Sequence, residues 1–287
     1  DNTTPLHTDD AAIAQSPVHL YAPKPALRLR LGTYEGEARP PEVPHAANPP
    51  TGAIIDYWLA GASSTPVTLA VYDSAGKLVR RFSSADQPAA MPTPGWPDYF
   101  MSPPTVLPAS AGAHRFVWDL RYTPPAGAPR WGEPAVLGRT PRAPLGPLVL
   151  PGQYRVVLTA DGKQYTQALT VLADPHAGGA GPALAANVQL SLDLGAAIDR
   201  NSKLRADART AAAAAIAAGD RAKAKRIEDQ VGRSGLGRST MQLTMLMNQV
   251  MDTDVAPSPT VVDAANGLKA ASDQARAAVG DALTATR

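Results

Sequence analysis

Four carboxylates in the first half of the chain are candidates for chemistry near aromatic residues: Asp56 in "IIDYW", Asp98 in "GWPDYF", Asp119 in "FVWDLRY" and Glu133 in "RWGEP". An acid next to a tryptophan is what a sugar-cleaving site often contains, and glycoside hydrolysis needs two such acids facing one another about 5 to 10 Å apart. These four fall on separate expected strands and loops, and nothing in their spacing selects a pair. The histidines at 7, 19, 45, 114 and 176 show neither His-x-His nor the spacing of a zinc-binding helix, so no metal site is expected. No Gly-x-Ser-x-Gly elbow occurs. The glycine-rich "GRSGLGRST" (232–240) has no strand before it and reads as a loop. No motif calls for a cofactor.

The acid of "GAHRFVWDLRY" (112–122) also has a structural reading. Alternation puts His114, Phe116, Trp118 and Leu120 on one side of a strand and Asp119 and Arg121 on the other. With Trp118 turned inward, Asp119 accepts hydrogen bonds from backbone or from an arginine at the strand end, so that Trp118, Asp119 and Arg121 form a clamp. Polar residues on the outer face of a strand need no active site to explain them. Four other aromatics, Trp96, Tyr99, Phe100 and Trp131, lie in two long insertions at 83–112 and 123–152. They are candidates for stacking on sugar rings, or for packing under the loops or against a partner.

Six stretches read as strands that position these residues: 52–60, 66–73, 77–82, 113–120, 152–160 and 163–172. Asp73-Ser-Ala-Gly76 suits a four-residue hairpin loop, and Asp161-Gly162 a tight primed turn. Short strands with turn signals and no helical pattern between them predict an immunoglobulin-like β-sandwich over 52–173. Residues 1–51 form an extended, proline-rich strap; Pro23 and Pro25 cannot donate to a ladder, so 16–30 belongs at an edge or over a surface.

All four tryptophans, eight tyrosines and three phenylalanines precede position 183, and beyond it only Pro257 and Pro259 remain of the 29 prolines. The composition shift marks a boundary at "ADPHAGGAGPA" (173–183) and a helical domain over 174–287. Three main helices are expected. The first opens at Pro182 and runs to about 218, with Leu184, Val188, Ser191, Leu192, Gly195 and Ile198 on one face. The second spans 239–252 with Ser239 as N-cap. The third spans 258–287 with Ser258 as N-cap and Pro259 at its first position. Residues 221–229 read as a short charged helix or loop. The whole is mixed and mainly β, with a small helical bundle after the sandwich.

Length and charge bound what this can do. A chain of 287 residues with 44% hydrophobic content suits about two domains. A net charge of +2, from 27 basic and 25 acidic residues, gives no field of the kind nucleic acid needs. There is no cysteine, which removes disulfides and thiolate chemistry. No run reaches the ~20 apolar residues of a membrane span, and "DNTTPLHTDD" lacks the layout of a signal peptide, which leads us to expect a mature chain or a fragment.

The order "NPPTGAIIDYWL", "VTLAVYDSAGKLVRRFSS", "LPASAGAHRFVWDLRY" and "LGPLVLPGQYRVVLTADGKQYTQALTVLADPH" resembles the C-terminal region of large secreted bacterial proteins. Their N-terminal part is a sortilin-type, BNR-repeat β-propeller, and they are described as glycosyl hydrolases or WD40/YVTN/BNR-like repeat proteins. The motifs G-x-x-x-F-x-W-D and P-G-x-Y-x-V-x-L also resemble the immunoglobulin-like domain of the flagellar hook-capping protein. The resemblance covers nearly the whole chain, including "DNTTPLH", which is similar to the segment leaving the last propeller blade. It implies secretion or a periplasmic place, a β-propeller domain or chain before Asp1 as partner, and an active site in that propeller rather than here. The function expected is thus non-catalytic and accessory. A carbohydrate-binding module contacting polysaccharide is the first alternative, and a glycosidase in its own right the second.

Overall fold

The computed structural model describes residues 13, 15–30, 50–87, 97–103, 105–128, 140, 144–176 and 181–284. The chain is mixed α/β and divides into two compact units, one of residues 1–123 and 132–180, the other of 124–131 and 181–287. Helix outweighs strand, 43% against 25%, which corrects the expectation of a mainly β chain. The excess lies in two long helices, of 36 and 26 residues, that the alanine-rich sequence after position 182 sustains.

Among the described residues, the first unit holds eight strands: β1 (Val18–Leu20), β2 (Ala26–Arg28), β3 (Ala53–Leu59), β4 (Thr68–Asp73), β5 (Leu78–Ser83), β6 (Gly112–Trp118), β7 (Gly152–Ala160) and β8 (Lys163–Ala173). They form two sheets, a three-stranded one in the order β1-β3-β6 and a five-stranded one in the order β2-β8-β7-β4-β5. Alternate residues of both sheets fill one core, including Ile55, Tyr57, Phe116 and Trp118 from the first and Leu69, Val71, Val156, Leu158 and Leu169 from the second. Every strand expected between 52 and 173 is present, with ends within two residues. The period-two alternation that exposes one face to water is what the core demands of it.

Residues 16–30 keep to the edges, as their prolines require: β1 borders one sheet and β2 the other, with Pro23 and Pro25 in the crossing between. β2 runs parallel to β8, while every other strand pair is antiparallel. Both turns follow their sequence signals. The Asp73 carboxylate accepts from the amides of Ala75 and Lys77, and Gly76 takes φ +79°. Asp161 and Gly162 both have positive φ, as a type I′ turn requires.

The second unit holds α1 (Pro182–Ala217), α2 (Arg221–Arg233), α3 (Leu236–Met251) and α4 (Pro259–Thr284). Of the two readings open for 221–229, a short helix or a loop, the structure shows a helix, longer than expected at 221–233, whose N-cap, Asp220, accepts from the Lys223 amide at 2.8 Å. The glycine-rich 232–240 is no loop. Gly235 alone takes the left-handed conformation and breaks the chain there, while Gly232 and Gly237 are helical. α3 therefore starts at Leu236, and Ser239 is buried inside it rather than capping it. Ser258 accepts from the Val261 amide at 3.4 Å, at the start of α4.

The segment after Thr123, expected within the sandwich region, belongs with the helices. Gly195 of α1 leaves a notch for the Pro125 ring, and Gly127 lies so close to Ser202 that a Cβ would collide with it. The Ala126 amide donates to Asp199 at 2.5 Å, and Ala128 joins the apolar cluster of Leu194, Ile198, Leu243 and Met247. A proline-rich insertion is rigid enough to fit such a notch at little entropic cost.

Candidate functional site

Asp119 follows the last residue of β6, where the chain leaves the three-stranded sheet. Leu120, large and buried, is held at φ +57°, a conformation that costs an ordinary residue of order 1 kcal/mol or more. Three hydrogen bonds surround it. The Asp119 carboxylate accepts from the Arg121 amide at 3.1 Å, the Trp118 indole N–H donates to the Arg121 carbonyl at 3.0 Å, and the Val149 amide donates to the Leu120 carbonyl at 2.8 Å. Arg121 then bridges to Leu148, just ahead of β7, and its guanidinium donates to the Gly146 carbonyl. Opposite the corner, Gly52 at φ +128° approaches so closely that a Cβ would run into the Trp118 carbonyl.

A guanidinium from the other sheet reaches this corner. Arg80 of β5 donates to the Tyr122 carbonyl at 2.8 Å, lies over the Phe82 ring, and exerts an electrostatic pull on both Asp119 and Asp86. Burial raises the Asp119 carboxyl above its ordinary range, and Arg80 and Arg121 pull it back. Burial likewise lowers Arg80, against the pull of Asp119. The side chain of Asp119 nonetheless keeps substantial surface in water, which weakens these interactions. Asp86 accepts from the Ser83 amide at 2.7 Å and so closes the turn after β5.

The other acids are separated from this corner. Asp56, 5% exposed, pairs directly across the ladder with Arg115, whose Nε and Nη2 donate to its two oxygens at 2.8 and 3.1 Å. That hydrogen bond raises the Arg115 pKa further. Asp119 lies beyond the Trp118–Ala53 pair, four positions from Asp56 along the ladder, about 13 Å at the usual strand rise. That exceeds the spacing of roughly 5–9.5 Å that glycosidases use. Glu133 and the Asp98 side chain lie outside the described residues. Among the described residues, no group of three or more His, Asp or Glu side chains could hold a metal ion, and no helix is long and apolar enough to cross a membrane.

Of the four loop aromatics, Trp96 and Trp131 also lie outside the described residues. Tyr99 and Phe100 sit in a single 3₁₀ turn at Asp98–Phe100, their ring centroids 4.4 Å apart. Tyr99 is 62% exposed. The turn is anchored by a short pairing between the two insertions: Thr140 donates to the Phe100 carbonyl at 3.0 Å, Ser102 donates to the Thr140 carbonyl at 2.8 Å, and Met101 and Thr140 are buried between them.

Sequence alternation alone does not mark Arg80 or Asp86 as neighbours of Asp119. Strict alternation from Val79 sends Arg80 to solvent. The signal was present in "VRRF", where Val79 and Phe82 are both buried at a spacing of three. A register shift beside Tyr72 accommodates the extra residue and turns Arg80 toward the corner. Comparison with protein-family models, curated proteins and solved structures finds no match to this chain.

Proposed function

We propose that this chain is a non-catalytic accessory region of a secreted or periplasmic β-propeller protein of the glycoside hydrolase-like type. In this reading the sheets form an immunoglobulin-like β-sandwich that supports or docks on the propeller. The observation that carries it is the strand order. With β1 and β2 as a split first strand, β1-β3-β6 corresponds to A-B-E, and β2-β8-β7-β4-β5 to A′-G-F-C-C′. Tyr154, near the start of the F-equivalent β7, donates its hydroxyl to the Leu150 carbonyl at 2.6 Å, the geometry of a tyrosine corner.

Support for an accessory role comes from what the acids do. Asp56 is taken up by Arg115 and Asp119 closes its own turn, so both have structural employment. The exposed Tyr99 ring, set against Phe100, favours a second reading as a carbohydrate-binding module through stacking.

The purified chain, assayed with aryl-glycosides and oligosaccharides, is expected to show no turnover. Turnover lost on Asp119→Asn, Asp86→Asn or Glu133→Gln would overturn the non-catalytic reading. A polysaccharide panel that leaves tryptophan fluorescence and melting temperature unmoved would remove the binding-module reading. Association with the propeller, measured by sedimentation, supports the accessory role, and its absence counts against it.

A further inference from the structure

The two sheets have four edges, bordered by β1, β6, β2 and β5, and three of them carry devices that keep a strand edge from pairing further. At β1 the outward carbonyls are taken by side chains: Val18 accepts from the Ser16 hydroxyl at 2.8 Å and Leu20 from the Gln167 amide at 3.0 Å. β2 is only three residues long. At β5 the Val79 carbonyl accepts from the Thr123 amide at 3.2 Å. Ser83, at the other end of β5, is closed by Asp86, whose carboxylate accepts from the Ser83 amide and whose own amide donates to the Ser83 carbonyl.

β6, the fourth edge, has none of these. Its seven residues extend about 23 Å and pair with β3 in an unbroken register from Trp118–Ala53 to Gly112–Leu59, without a bulge, a proline or a lysine. The Tyr21 amide donates to the Asp56 carbonyl, so the backbone groups of Asp56 face β1. Those of Arg115, directly opposite Asp56, must then face the other way, out of the sheet. By the period of two, Ala113 and Val117 do the same. Among the described residues nothing pairs with the outward amides and carbonyls of Ala113 and Val117. Ala113 is exposed and Val117 half-buried. The Arg115 side chain, which could guard the edge, is drawn back across the sheet onto Asp56.

We propose that β6 takes up an extended strand of another polypeptide, which joins the three-stranded sheet as its fourth strand. Outward amides and carbonyls recurring every second residue, about 7 Å apart, are matched by an extended backbone and by no other regular element, the geometry of strand addition. A second copy of this chain is a poor occupant: the antiparallel register that pairs all three outward residues sets Arg115 against its own twin, and like charges directly opposite destabilise a ladder. The strand that fits has a carboxylate opposite Arg115 and β-branched residues opposite Ala113 and Val117. This site rests on the β3–β6 ladder and does not depend on the accessory role proposed for the sheets.

The probe is a fluorescein-labelled peptide, Lys-Thr-Val-Thr-Glu-Thr-Val-Thr-Lys, compared with the same peptide N-methylated at both valines, which keeps the side chains and blocks the pairing amides. Fluorescence anisotropy with the full chain should saturate for the first and not for the second. Ala113→Pro removes an outward amide that makes no bond to β3, and should weaken binding at least tenfold, ~1.4 kcal/mol. Amide hydrogen exchange needs no variant: in the free chain Ala113 and Val117 should exchange fast while His114 and Phe116, turned toward β3, are protected, and the peptide should slow the first pair. Failure of the plain peptide to saturate, equal binding of the N-methylated one, or protection of Ala113 and Val117 in the free chain overturns the proposal. So does a dimer in sedimentation that Ala113→Pro dissolves, because the edge would then belong to a second copy.

Discussion

The indole N–H of Trp118 donates to the Arg121 carbonyl across 3.0 Å, so the ring that fills the core shared by both sheets also ties down the corner where the chain leaves β6. Trp118 packs edge-on to Tyr154, 5.9 Å between centroids, and Tyr154 closes its own turn at Leu150. One aromatic pair thus links the chain reversal after β6 to the start of β7.

Removing the ring should therefore cost both packing and the corner. Trp118→Ala is expected to lose about 3–5 kcal/mol in urea unfolding, the range for a buried large aromatic. Trp118→Phe retains most of the apolar volume but removes the indole N–H that donates to the Arg121 carbonyl, so a smaller loss of ~1 kcal/mol or more is expected. A loss under ~1 kcal/mol for the alanine variant would contradict the core position of the ring.

Alkaline pH should unfold the first unit through two tyrosines. Burial raises Tyr57 and Tyr154 well above the ordinary phenol range; Tyr57 also donates to the Pro108 carbonyl at 2.5 Å. The unfolded chain loses these protons near pH 10 while the folded chain keeps them. Their contribution is thus complete below about pH 10 and falls above it, by up to about 1.4 kcal/mol per pH unit for each tyrosine. Tyr57→Phe/Tyr154→Phe should be less stable at pH 7 and show a shallower alkaline decline. A decline of unchanged slope would assign it to other groups.

In the helical unit, Asn201 is fully buried and joins three helices: its amide donates to Thr240 at 3.3 Å and its carbonyl oxygen accepts from Ser272 at 2.8 Å. Asn201→Ala strands the Ser272 hydroxyl and is expected to cost about 1–3 kcal/mol. Adding Ser272→Ala should recover part of that loss. Additive losses in the double-mutant cycle would show the two residues are uncoupled.

A chain ending at His176 retains every residue of the core shared by the two sheets. It should unfold cooperatively, with near-ultraviolet circular dichroism of its aromatic core preserved. Residues 124–128 lose Gly195, Asp199 and Ser202 as partners, so proteolysis should cut there before the sheets open. A molten product would mean the helices complete the sheet unit.

The strands, both turns and the edge placement of residues 16–30 were legible in the sequence, because alternation, Asp-Gly and proline act through local backbone chemistry. Near residue 180, where one compact unit gives way to the other, the aromatics stop, prolines become rare and alanine-rich helices begin. Local rules failed where the deciding contact is distant or depends on one backbone angle. The left-handed φ at Gly235 shifted the start of α3 by three residues and buried Ser239, the expected cap. A register shift beside Tyr72 brought Arg80 to Asp119. Residues 124–128 joined the helices because Gly195 leaves room for Pro125 across 70 positions of chain, a fit of shape that no local periodicity encodes. For the same reason the acids could be found by residue type, but their separation could not: only the pairing of Asp56 with Arg115, and the closing of a turn by Asp119, decided what each carboxylate does.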